Sequence, residues 1–312
     1  MKAVIINKYG GPEVLEYVDV VTPEPGPDEI LIKTKAISVN PVDWKVRQGK
    51  LKIITGKKFP IYLGVEASGI VEKTGEAVKG FEIGKKVFAG KNHTGGAYAE
   101  YFCVKQENAV ILPDEMSFED GCTLAVTGVT SLQSLRDHGK LEEGMEVLIN
   151  GASGGIGTYA VQIARILGAK VTGVCSTRNI KLVRSLGADK VIDYTQQNWS
   201  RMNEKYDIIL DAVGNKTFTQ VRNNLKKKGI LIKLNITPKN WLEQNFLSLF
   251  STKKAKMVLL KSRKDDVKWV RDQIAIGNIR VIHDKSFKLE NTRKAHEYSE
   301  TERARGKIIL KP

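Results

Sequence analysis

Apolar and polar residues alternate through Glu29-Ile30-Leu31-Ile32-Lys33-Thr34, the two-residue period of a half-buried strand. Similar short runs recur at residues 69–73 and 85–89, and residues 1–6 read as a first strand. Tyr9-Gly10-Gly11-Pro12 and Pro23-Glu24-Pro25-Gly26-Pro27 supply turn chemistry between them. From residue 1 to about 120 the pattern therefore predicts a small, barrel-like β domain. Beyond it the period changes. Glu146-Val147-Leu148-Ile149-Asn150 is strand-like, and Ile156, Ala160, Ile163, Ala164 and Leu167 then follow at helical spacing. Strands at 170–175, 190–193, 207–211 and 229–234 alternate with helical stretches near 179–186 and 217–225, and a helix is expected near 265–276. Repeated βα units predict a doubly wound parallel sheet. Strands at 280–287 and 307–310 are expected to return to the first domain. The expected division is 1–120, completed by 283–312, and 121–282.

At 312 residues, with 41% apolar and 27% charged positions, the chain is long enough to bury roughly 75% of its unfolded surface without disulfides or metal. No apolar run reaches the ~18–20 residues of a membrane span, and no signal-peptide pattern opens the chain. A cytoplasmic location is expected. Cys103, Cys122 and Cys175 lie far apart, as do His93, His138, His283 and His296, so no compact zinc spacing is visible. The net charge of +15 gathers at Lys253, Lys254, Lys256, Lys261, Arg263 and Lys264, and at Arg222 with Lys226, Lys227 and Lys228. This reads as a solvated basic face, compatible with weak association with an anionic surface. No specific nucleic acid is expected, since aromatic residues do not interleave with the charge.

The sharpest motif runs from the strand at 146–150 through Gly151-Ala152-Ser153-Gly154-Gly155-Ile156-Gly157 into the helix. Small residues let the backbone approach a pyrophosphate, and the helix start offers free N–H groups to it. Ser153, Gly154, Gly155 and Ile156 are the candidate contacts. The same string also fits G-x-S-x-G, the nucleophile elbow of serine hydrolases, with Asp211 and His283 or His296 as partners for Ser153. A third reading keeps the nucleotide fold only as a binding module, with the basic face on RNA or anionic membrane. An NAD-binding unit places an acidic residue ~20 positions past the glycines. None occurs between Gly151 and Ala188. Instead the next strand ends in Cys175-Ser176-Thr177-Arg178-Asn179, followed by Lys181, and hydroxyls beside cations suit the 2′-phosphate of NADPH.

With these residues assembled, the chain resembles the medium-chain dehydrogenase/reductase superfamily. Within it, the likeness is to the zinc-free quinone oxidoreductases of the plant chloroplast quinone-oxidoreductase and alkenal/one reductase type. The resemblance rests on Asn40-Pro41-Val42-Asp43-Trp44-Lys45-Val46-Arg47-Gln48-Gly49, Gly64-Val65-Glu66-Ala67-Ser68-Gly69, Val126-Thr127-Gly128-Val129-Thr130-Ser131-Leu132, the 151–157 turn, Ser185-Leu186-Gly187-Ala188-Asp189 and Gly306-Lys307-Ile308-Ile309-Leu310. It implies a GroES-like first domain and a Rossmann second domain, with NADPH as cofactor and a homodimer, for which edge strands near 256–260 are the candidate contact. It implies hydride transfer to quinones or α,β-unsaturated carbonyls. The zinc ligands of the alcohol dehydrogenases correspond to Asn40, Val65 and Val126, so no metal is expected.

Carried over residue by residue, the resemblance places Asn40 and Lys45 toward the nicotinamide and substrate, with Lys45 donating to the developing oxyanion. Trp44 stacks on a flat substrate or packs. Thr130 meets the nicotinamide end, Tyr194 the phosphate end, Val213 and Leu234 the ribose and nicotinamide, and Lys307 the pyrophosphate. Asp43 and Glu66 take structural roles. The segment 235–251, with Trp241, Phe246 and Phe250, is expected to line the cleft.

Overall fold

The computed structural model describes residues 1–56, 58–91, 95–234 and 251–312. The chain divides into two compact units, one of Met1–Val126, Ser262–Ala275 and His283–Pro312, the other of Thr127–Lys261 and Ile276–Ile282.

The first unit is built on the long strand Glu29–Val39, in which buried Ile30, Leu31 and Ile32 give way to alternating Thr34 and Ala36 between exposed lysines. A register shift between Thr34 and Ala36 lets this one strand serve several neighbours. It pairs antiparallel with Glu66–Thr74, with Tyr101–Lys105, and with the C-terminal strand Lys307–Lys311. The last pairing sets Ile308 against Val39 and Leu310 against Ile37, so the end of the chain closes the unit that its beginning opens. A second, three-stranded sheet runs in the order Leu15–Asp19, Lys2–Ile6, Ile61–Tyr62. Val4, Ile6, Ile32, Ile37, Val87 and Leu310 belong to the shared core.

Among the described residues the second unit is built on a six-stranded, wholly parallel sheet. Its order is Lys190–Asp193, Lys170–Cys175, Glu146–Asn150, Tyr206–Asp211, Leu225–Lys233, Lys254–Met257. Counted within the unit, this is 3-2-1-4-5-6, the doubly wound order in which ligands bind past the carboxyl ends of the first and fourth strands. The helix Gly155–Ile166 buries Tyr159, Ala160, Ile163 and Ala164.

Some boundaries differ from the periodicity. The helix expected at 217–225 is only Phe218–Val221 and one 3₁₀ turn, because Leu225 already pairs with Tyr206 in the sheet. The strand expected from 280 is His283–Lys288. Arg280 is held outside it by its backbone N–H, which donates to Gln162 Oε1 at 2.8 Å. The aromatic segment 235–250 lies outside the described residues.

Candidate active site

In the second unit, the turn after Glu146–Asn150 is shaped for close backbone approach. Gly151 has φ +86°, in the left-handed region that favours glycine. A Cβ on Gly157 would stand 2.1 Å from the Gly151 carbonyl oxygen, so only glycine closes the turn onto the helix. Gly154 leads extended into Gly155–Ile166, whose first N–H groups have no intrahelical acceptor. These residues fit the pyrophosphate of a dinucleotide: a positive helix end, orphan donors and no side chain in the way.

The next strand end is tied to this turn by Asn179, 96% buried by its 4% exposure. Its Nδ2 donates to Ser153 Oγ at 2.9 Å and to Ser176 Oγ at 3.3 Å, linking the two loops. Ser153 and Ser176 thus act as acceptors here, which leaves their own hydroxyl protons to point elsewhere. Arg178 and Lys181 are exposed beside them. Thr177 is arranged differently from the expectation that its hydroxyl faces a phosphate. That hydroxyl donates to Asp193 Oδ2, on the neighbouring strand. Spacing along the chain does not point to Asp193, because the sheet delivers it sideways, with Cys175 opposite Asp193. Tyr194, 60% exposed, follows it, and its N–H donates to the Cys175 carbonyl at 3.0 Å. Val213 lies exposed and Leu234 half-buried past the ends of the fourth and fifth strands, and Thr130 is buried in a helical stretch of the same unit.

In the first unit a different cluster forms around Asn40, just before the helix Pro41–Arg47. Asn40 is 1% exposed and its carboxamide is bonded at both ends. Oδ1 accepts from Lys307 Nζ at 2.6 Å, while Nδ2 donates to Glu66 Oε1 at 3.1 Å and to the Ser38 carbonyl at 3.1 Å. Glu66 Oε2 accepts from the backbone N–H groups of Ala125 and Val126. Burial pushes the Glu66 carboxyl up and the Lys307 ammonium down, and each charge partly offsets the shift of the other. Two expectations change here. The carboxamide of Asn40 is bonded at both ends to protein groups and positions those neighbours. The Lys307 amine, expected at a pyrophosphate, is buried within the first unit on Asn40. The corresponding metal positions do not fit zinc either: an ammonium holds the Asn40 oxygen, Val65 offers only hydrocarbon, and the Val126 backbone is bonded to Glu66.

A second chain of polar residues anchors the same helix. Asp43 Oδ2 accepts the Asn40 backbone N–H at 2.7 Å, the reach-back of a helix N-terminus, and also the Tyr98 hydroxyl at 2.9 Å. His296 Nε2 lies 3.2 Å from that hydroxyl, and His296 Nδ1 lies 3.3 Å from Arg47 Nη1. Because arginine only donates, Nδ1 must accept and Nε2 carries the proton. Arg47 ends on Glu300 at 2.7 Å. Burial raises the Asp43 carboxyl to about 7 and lowers His296 to about 3. The sequence alone points to Asp43 but not to its partner Tyr98, nor to His296, Arg47 and Glu300 beyond it, since the contacts join distant stretches of chain.

On that helix Lys45 is half-buried, and burial followed by the charge of Lys50 lowers its pKa. Lys45 and Lys50 place their ammonium groups 5.5 and 5.4 Å from the Trp44 ring centroid. Trp44 as a whole is 8% exposed, the placement of a packing residue more than of an open stacking platform.

The hydrolase alternative fails on its partners. Ser153 meets Asn179, Asp211 is bonded to Asn150 and to the N–H groups of Gly214 and Lys216, His283 faces Asp120 at 2.7 Å, and His296 faces Tyr98 and Arg47. Several cations of the basic face have local acceptors: Lys226 with Glu146 and Asp207, Lys256 with the His138 carbonyl, Lys253 with the Arg222 carbonyl.

Comparison with known proteins agrees with this geometry. Residues 26–114 match the alcohol dehydrogenase GroES-like domain, and residues 186–310 the zinc-binding dehydrogenase family. The chain is 33% identical to the chloroplastic quinone-oxidoreductase homolog of Spinacia oleracea, covering 100% of this chain and 98% of that one. It is 31% identical to the chloroplastic NADPH-dependent alkenal/one oxidoreductase of Arabidopsis thaliana, covering 100% and 80%. The structure of Escherichia coli quinone oxidoreductase complexed with NADPH matches with a TM-score of 0.88 at 26% identity, covering 100% of both chains. The chain therefore belongs to the quinone-oxidoreductase family of the medium-chain dehydrogenases/reductases.

Proposed function

We propose that this protein is a zinc-independent, NADPH-dependent reductase of quinones or α,β-unsaturated carbonyls. The observation that carries the reading is the 151–157 turn, where a Gly157 Cβ would strike the Gly151 carbonyl, leading to a strand end rich in hydroxyls and cations. Relatives named for quinone and for NADPH-dependent alkenal/one reduction support the acceptor class. In this reading the second unit binds nucleotide and the first unit meets the acceptor.

NADPH, when bound, supplies the hydride. Ser153, Gly154, Gly155 and Ile156 hold its pyrophosphate, and Ser176, Arg178 and Lys181 its 2′-phosphate, with Asn179 positioning both serines. Thr130, Tyr194, Val213 and Leu234 complete the contacts proposed along it. Quinones and enones are already electron-poor, so the protein needs only a donor where negative charge develops on oxygen. Lys45 takes that role, its pKa lowered toward the range in which an ammonium gives up a proton. Asn40, Asp43 and Glu66 set the helix that carries it. No metal is required, since polarising an alcohol is not part of the reaction.

We further place the enzyme in the cytoplasm as a homodimer. Among the described residues the strand Lys254–Met257 is one of the two edge strands of the parallel sheet, the other being Lys190–Asp193, and an open edge of this kind supports an edge-to-edge dimer. Light scattering on the purified protein tests it. The cofactor reading is tested by titrating the protein with NADPH and NADH while following nicotinamide fluorescence. Tighter binding of NADPH is expected, and a preference for NADH contradicts it.

A further inference from the structure

We infer that Asp193 sets how strongly this enzyme prefers NADPH over NADH: it draws the Thr177 hydroxyl away from the cofactor and places a carboxylate beside the strand end that receives the ribose. The inference rests on the nucleotide site proposed above and assigns one of its residues a role opposed to the others.

The geometry is lateral. Lys190–Asp193 pairs in parallel with Lys170–Cys175, and Asp193 falls opposite Cys175, the last residue of the strand whose end carries Ser176, Thr177 and Arg178. The two carboxylate oxygens are used asymmetrically. Oδ1 accepts the Thr195 N–H at 2.9 Å and the Thr195 hydroxyl at 2.7 Å, whereas Oδ2 accepts the Thr177 hydroxyl. With both hydroxyl protons directed at Asp193, the 3.0 Å contact between Thr177 and Thr195 oxygens carries no proton of its own. Hydrogen bonding from Thr177, with smaller contributions from Thr195, holds the carboxyl below its usual range, so it is ionised at neutral pH.

Two consequences oppose each other at the ribose. A strand-end acid is the group that accepts from the 2′-hydroxyl of NADH in other dinucleotide-binding units. Here such an acid is present, but supplied by the neighbouring strand and partly capped by Thr177. The same charge repels a 2′-phosphate. Ser176, Arg178 and Lys181 favour NADPH, and Asp193 reduces the margin.

The test is fluorescence titration of the full chain with NADPH and with NADH, in the wild type, Asp193→Asn and Thr177→Val. Removing the charge is expected to raise the ratio Kd(NADH)/Kd(NADPH) about fivefold, the effect of one unit charge at several ångströms in water. Thr177→Val, at an exposed position that does not endanger folding, uncaps Oδ2 and is expected to tighten NADH and lower the ratio. Opposite shifts in the two variants support the inference. If Thr177 contacts the 2′-phosphate directly, Thr177→Val weakens NADPH and leaves NADH unchanged, which overturns it. An Asp193→Asn ratio within twofold of wild type also overturns it while leaving the NADPH reading intact. Should Asp193→Asn not fold, tighter NADH binding by Thr177→Val alone supports the inference and unchanged NADH binding overturns it. Wild-type preference for NADH contradicts the NADPH reading instead, and binding of neither nucleotide contradicts both.

Discussion

The Asn40 carboxamide stands between two buried charges, accepting from the Lys307 ammonium at 2.6 Å and donating to the Glu66 carboxylate at 3.1 Å. Its dipole is aligned with both, so one neutral side chain keeps an ammonium and a carboxylate satisfied out of water. Asn40→Ala removes both bonds at once. Leaving buried charged groups short of partners costs about 3 kcal/mol, which a urea midpoint measured at neutral pH will show. A loss under about 1 kcal/mol means that water enters and replaces the amide.

Gly157→Ala tests the nucleotide turn. Its Cβ would meet the Gly151 carbonyl oxygen at 2.1 Å and the Ala152 Cα at 2.7 Å, both of them backbone atoms that cannot swing aside. NADPH affinity should drop by about tenfold or more, equivalent to about 1.4 kcal/mol, in a protein whose circular dichroism is unchanged. Unaltered affinity contradicts the placement of the pyrophosphate.

Lys45→Met tests the donor. Removing one donor to a developing oxyanion typically lowers kcat by about 100-fold, and KM should move much less. The sign of the pH effect follows from the lowered pKa. The ammonium is the active form, so wild-type kcat falls as pH rises, with an alkaline limb below that of an ordinary lysine. Steady-state pH profiles should show the limb in wild type and not in Lys45→Met.

His296 and Asp43 give opposed pH dependences to stability. His296 is lowered to about 3 by burial and by Arg47, against ~6.5 when unfolded. Between these values the unfolded chain takes the extra proton, so the contribution is complete above about 6.5 and is lost as pH falls toward 3. Asp43, raised to about 7, keeps its proton in the fold and acts with the reverse slope between about 4 and 7. In His296→Gln the histidine's dependence is gone, while that of Asp43 and of every other shifted group is common to both proteins and cancels in their difference. The stability difference between wild type and this variant should therefore widen as pH rises from about 4 to 6.5 and then level off. Chemical denaturation at several pH values will show it, and a pH-independent difference contradicts the neutral, buried histidine.

Much of this was legible along the chain. The alternation at 29–34 marks the central strand of the first unit, and the glycine string at 151–157 lies between a strand and a helix as its spacing requires. What stayed hidden depends on pairing between segments. Asp193 reaches Thr177 only because two parallel strands lie side by side. Tyr98 meets Asp43, and His296 and Arg47 extend that chain, only through the folded core of the first unit. The resemblance places Lys307 at the pyrophosphate, whereas its strand pairs with Glu29–Val39, and there its amine finds Asn40.

The most direct test of the account is NADPH consumption by protein dialysed exhaustively against a chelator, with a 1,4-quinone and with an α,β-unsaturated ketone as acceptors. The account predicts NADPH oxidation dependent on at least one of these acceptors, slower with NADH, and at the same rate before and after chelation. Activity lost on chelation and restored by zinc, or NADPH left intact with both acceptors, contradicts it.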